Sequence, residues 1–91
     1  MSHIDIRRTH ALPLKDAKLK VERIAQHIAK RFQVDYGWKG NTLEFTRSGV
    51  EGHIAVNAKE VHVSVRLGFL LFAIKSAIER EIDKTIDEEF S

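Results

Sequence analysis

The 91-residue sequence predicts an α+β fold: an antiparallel sheet of four to five strands with two helices packed on one face, in the order β-α-β-β-β-β-α. Three observations predict it. The hydrophobic period is two at the start of the chain and again from Val34 to Leu67, and lies between three and four in the two stretches outside these. Turn candidates in the middle region set one common register, and that register gathers the large apolar side chains on a single face. Each helical stretch has one apolar stripe, and both stripes need that face for burial.

In chain order, His3 to Thr9 alternates Ile4 and Ile6 with polar residues, as an edge strand with one buried face does. Pro13 follows, at a position that suits the first residue of a helix, where its missing N–H costs nothing. The first helix runs to about Phe32, with Ala17, Val21, Ile24, Ala25, Ile28 and Phe32 on its apolar stripe and Lys15, Lys18, Glu22 and Arg23 away from it. Four strands come next. Gly40-Asn41 as a two-residue loop pairs Lys39 with Thr42, Trp38 with Leu43 and Tyr36 with Phe45. Ser48-Gly49 pairs Arg47 with Val50, Phe45 with Gly52 and Leu43 with Ile54. The connection around Asn57 to Glu60 sets Val56 against Val61 and Ile54 against Val63. The opposite face collects Glu44, Thr46, Glu51, His53, His62, Ser64 and Arg66, with Glu51 and Arg66 expected as a cross-strand ion pair. With the first helix as a crossover, the first strand runs parallel to the second and fits beside the last.

The second helix is expected over Phe69 to Phe90. Those 22 residues would span about 33 Å, against about 20 Å for a five-stranded sheet. Ile74, Ile78, Ile82, Ile86 and Phe90 are four apart, so the stripe winds about 40° per step, and one flat surface cannot bury both ends. Phe69 to Ile78 fits a lid over the sheet. Ile82, Ile86 and Phe90 then either fold against the first helix or first strand, or meet a second copy of the chain or another apolar surface. Asp87, Glu88 and Glu89 give the last turn the wrong sign for a helix C-terminus.

Composition excludes several classes. There is no cysteine, so disulfides and thiolate metal sites are ruled out, and a 43% hydrophobic content suffices for one modest core in a single domain over residues 1–91. The first eight residues mix charges where a signal peptide needs an apolar run, and no stretch is long enough to span a bilayer, which suits a cytoplasmic protein. Met1 to Val50 has ten basic and five acidic residues, while Glu51 to Ser91 has five and eight. So uneven a chain could associate head to tail, or present its basic first helix to an anionic partner, but solvated helix faces are the better explanation of the pattern by several-fold. His53, His62 and Glu44 are the nearest approach to a ligand cluster, short of the three or four a zinc site needs, so no metal or other cofactor is expected. Ser48 lies in a tight turn and not a nucleophile elbow. The glycines are scattered, with no phosphate cradle before a helix. Tyr36 and Trp38 share the helix-covered face, which argues against base stacking and specific nucleic-acid binding. The chain reads as a non-enzyme.

Four stretches carry a family resemblance: Ile4 to Arg8, Tyr36 to Phe45, Arg47 to Gly52, and Leu67 to Leu71. Together they resemble the polyhydroxyalkanoic acid system protein family, small bacterial proteins associated with polyester storage granules, over almost the whole chain. The resemblance implies a cytoplasmic accessory protein that binds the polyhydroxyalkanoate granule surface or a granule-associated protein, and it transfers no active-site residue. Ile82, Ile86 and Phe90 are the expected docking residues, with a homodimer as the other use of the same stripe. The alternative is a binding module for an apolar or acyl ligand, akin to helix-grip folds, held by Trp38, Phe45, Phe69 and Phe72 between sheet and helix. A polymer-turnover enzyme is the third reading, and it lacks an evident nucleophile.

Overall fold

Alternation of β-branched and polar residues, cut by glycine turns, folds the middle of the chain into a meander that the first strand joins from the other end. The computed structural model describes residues 2–90, apart from the side chains of Ser2, Phe69 and Leu70. Its elements are β1 (Ser2–Thr9), α1 (Leu14–Phe32), β2 (Asp35–Lys39), β3 (Thr42–Arg47), β4 (Val50–Val56), β5 (Glu60–Leu67), a 3-10 segment (Phe69–Ile74) and α2 (Lys75–Phe90). The sheet order is β1-β5-β4-β3-β2, with every neighbouring pair antiparallel. The first strand does lie beside the last.

All the hairpin registers match those set by the turns: Trp38 faces Leu43, Phe45 faces Gly52, and Ile54 faces Val63. Gly40 and Gly49 take the positive φ angles, 59° and 83°, that their turns require. Between β4 and β5 the turn is closed by Asn57, whose Oδ1 accepts from the N–H groups of Lys59 and Glu60 at 2.9 and 2.8 Å. Glu51 does stand opposite Arg66. The expected ion pair is absent from the salt bridges of the described residues; the solvent face is tied instead by Arg7 to Glu60 at 2.9 Å and His62 to Asp5 at 3.0 Å. Diagonal partners one strand over reach each other where the directly opposed side chains extend into water.

On the other face Ile4, Leu43, Phe45, Ile54, Val61, Val63 and Leu67 are buried under both helices. Helix α1 contributes Ala17, Val21, Ile24, Ala25 and Ile28. It starts one residue later than expected, with Pro13 as the cap whose carbonyl accepts from Ala17 N–H at 3.0 Å. Asp16 in its first turn and Lys30 and Arg31 in its last suit the helix dipole, and Gln33 ends it in a left-handed conformation.

The second helix differs more. Its first six expected residues form 3-10 turns, with Leu71 N–H bonded to the Gly68 carbonyl and Lys75 N–H to the Phe72 carbonyl. Only Lys75–Phe90 is α-helical. Gly68 N–H meets the Gly49 carbonyl at 2.8 Å, and Leu71 leans over Gly49. These contacts tie the segment across the β3–β4 turn, where an α-helix begun at Phe69 would project past the sheet.

Candidate docking surface

The stripe expected to meet a partner is covered by the chain itself. Ile82 is 2% exposed and Ile86 fully buried, and Phe90 is half-buried with its ring 5.7 Å from that of His10. They lie where α2 crosses α1 and β1. The reason is electrostatic as well as apolar. Arg8 of β1 bonds Asp83 at 2.7 Å and also Asp87, Arg23 of α1 lies 3.7 Å from Glu89, and His27 bonds Glu81 at 2.7 Å. The His27 hydrogen bond holds the Glu81 carboxyl below its ordinary pKa. The basic first half and acidic second half therefore meet inside one chain, and the wrong-signed last turn is held by cations from two other elements.

Among the described residues, the expected apolar-ligand side chains of Trp38, Phe45 and Phe72 do not converge. Phe45 is core, 6.3 Å from the Tyr36 ring. Trp38 sits on the edge strand β2, Phe72 points to solvent, and the Phe69 side chain lies outside the described residues. Between Phe45 and Gly52 on the sheet and Ile28, Ile78 and Ile82 on the helices there is a cavity of about 30 Å³. That is room for about one water, against the several hundred Å³ of a typical ligand site.

Two features were missed in the sequence. The first is an apolar tip at the end of the molecule where the 3-10 segment crosses the β3–β4 turn. Phe72 is 64% and Ile74 44% exposed, with Leu71 half-buried behind them. The topology brings Lys30 and Arg31 of α1, Arg47 of β3, Arg66 of β5 and Lys75 to the same end, with the carboxylates of Asp35 and Glu51 there and that of Glu81 close enough for Arg31 to lower its pKa. None of those five cations has an ion pair within 4 Å among the described residues; Arg47 instead donates to the Phe32 carbonyl at 2.7 Å. The signal was present in the apolar run Phe69 to Ile74, which has more apolar residues than one helix face can bury.

The second is a carboxylate latch at the β2 edge. Glu22 of α1 accepts from Tyr36 Oη at 2.6 Å, Trp38 Nε1 at 2.8 Å and Gln26 Nε2 at 3.2 Å. Lys18 Nζ lies 4.8 Å from the Trp38 ring centroid and donates to the Gly40 carbonyl at 3.1 Å. The Tyr36 and Trp38 bonds lower the Glu22 pKa, and the same carboxylate raises that of Tyr36. With its acceptors filled, this group fastens an edge strand and offers no obvious ligand position. Tyr36 and Trp38 share a strand face two residues apart, so one helical carboxylate reaches both.

Among the described residues no three of His, Cys, Asp and Glu gather as metal ligands, and no helix is long and apolar enough to cross a membrane. A family model for the polyhydroxyalkanoic acid system protein (PHA_gran_rgn) matches residues 4–90. No curated protein and no solved structure gives a significant match.

Proposed function

We propose an accessory role in polyhydroxyalkanoate storage, on the premise that the chain belongs to the polyhydroxyalkanoic acid system protein family. In this reading the protein is cytoplasmic, catalyses no reaction, and docks on the granule surface or a granule-associated protein through the apolar tip. The exposure of Phe72 and Ile74 carries it. Apolar side chains held in water by a segment fixed across a glycine turn gain about 1.5–3 kcal/mol each when an apolar surface covers them. Two such side chains, less the cost of immobilising the protein, give weak and reversible attachment. The basic residues around the tip favour a surface with anionic groups.

Co-sedimentation with purified granules tests this. Phe72→Ser with Ile74→Ser is expected to weaken granule binding about a hundredfold or more, since two exposed apolar groups worth about 3 kcal/mol together are lost without touching the core. Equal sedimentation of the wild-type chain and this variant, both folded by circular dichroism, would remove the tip from the account.

A further inference from the structure

Among the described residues the sheet has two free edges of different character. Strand β2 is short, contains Gly37, and has its aromatics drawn onto Glu22. Strand β1 pairs with β5 without a break from Ser2 opposite Leu67 to Thr9 opposite Glu60, with no proline, glycine or bulge to blunt its outer side. His10 N–H bonds the Lys59 carbonyl directly across this ladder, so the even-numbered residues of β1 bond β5. His3, Asp5, Arg7 and Thr9 therefore turn their N–H and C=O groups outward.

We infer that β1 pairs antiparallel with β1 of a second copy of this chain, about a twofold axis through Ile6, joining two sheets into one of ten strands. Charge selects the register. With Ile6 opposite Ile6, Asp5 faces Arg7 of the second copy and Arg7 faces its Asp5, while His3 faces Thr9. The adjacent symmetric registers place Asp5 against Asp5 or Arg7 against Arg7, and like charges directly opposed destabilise a pair. Four outward-facing pairs then exchange about eight main-chain hydrogen bonds. Asp5 and Arg7 are exposed on the solvent face, and Ile6 is half-buried on the helix face. Ile6 floors an open groove walled by Ser76, Glu79, Arg80 and Asp83 of α2. The twofold covers that groove with the second Ile6 and turns the two α2 flanks, each bearing charges of both signs, toward one another. This pairing is independent of granule docking, since it uses the opposite flank of α2 from α1 and none of the tip residues.

Sedimentation of the full chain over a concentration series tests the pairing. A dimer is expected. Asp5→Arg should raise its dissociation constant about tenfold or more, because two attractive pairs become repulsive. Asp5→Arg combined with Arg7→Asp should restore association by reversing both members of each pair. In a chain without cysteine, Ile6→Cys should form an intermolecular disulfide on mild oxidation, and Thr46→Cys on β3 should not. A monomer throughout, a dimer indifferent to Asp5→Arg, or equal cross-linking of the two cysteine variants would overturn the proposal. Circular dichroism of each variant separates loss of pairing from loss of fold.

Discussion

The C-terminal segment begins and ends on apolar residues of similar kind, yet its two ends meet opposite fates. Ile82 and Ile86 are sealed under α1 and β1, while Phe72 and Ile74 stand in water. The difference lies in their neighbours. The later residues find two elements with cations at the right height for Asp83, Asp87 and Glu89. The earlier ones leave the sheet at Gly68, cross a turn of small residues and run out of partners. A stripe of isoleucines states how much apolar surface a helix has, and the positions of other elements decide which part is covered.

That contrast is broken most strongly by equal truncation at the two ends. Ile86→Ala should destabilise by about 2–5 kcal/mol in chemical denaturation. Phe72→Ser should stay within about 0.5 kcal/mol, as an exposed site does. Similar losses at both would show the tip to be packed in solution.

A smaller effect is expected at the Glu22 latch, where Glu22→Gln should cost about 1 kcal/mol near neutral pH. The Tyr36 hydroxyl, followed by Trp38, holds the Glu22 pKa below its ordinary 4.5, so the folded value lies under the unfolded one. Stability from ionised Glu22 is then fully present above 4.5 and is lost as pH falls through the lowered folded value. The gap between wild type and Glu22→Gln should therefore shrink in acid; a gap constant down to the acid transition would contradict this origin.

The smallest change should follow Arg8→Gln, about 0.5–1 kcal/mol at low salt and less at high salt, because its partners Asp83 and Asp87 are half exposed. Salt titration of the melting temperature reads it directly.

Much of the fold was legible because β-sheet register is overdetermined. A slip at Gly40-Asn41 or Ser48-Gly49 would have turned Leu43 or Phe45 to water, so turns and burial had to agree. The exposed tip at Phe72 and Ile74 was illegible for the opposite reason. Helical periodicity assigns Ile74 and Ile86 to one stripe, and only the Gly68–Gly49 contact, nineteen residues apart in sequence, ends that stripe's burial early. The ion pair expected between Glu51 and Arg66 failed on a similar point, since opposition in a ladder fixes the Cβ atoms and leaves long exposed side chains free to extend into water. In the sequence Glu22 looks like any solvated helix residue because nothing local distinguishes it; its partners come from a strand fourteen and sixteen residues away.

The position of β1 at the far edge also governs the order of assembly. The β2–β3, β3–β4 and β4–β5 hairpins close over a few residues each, whereas Ser2 must find Leu67. Loop-closure entropy rises with that separation, and non-local pairing slows folding. On a ribosome, β1 and α1 emerge before β5 exists, so the first strand made must wait for the last one. Until then β4 has an unpaired side, and the completion of the sheet coincides with the arrival of the acidic helix whose Asp83 and Asp87 bind Arg8 of the waiting strand.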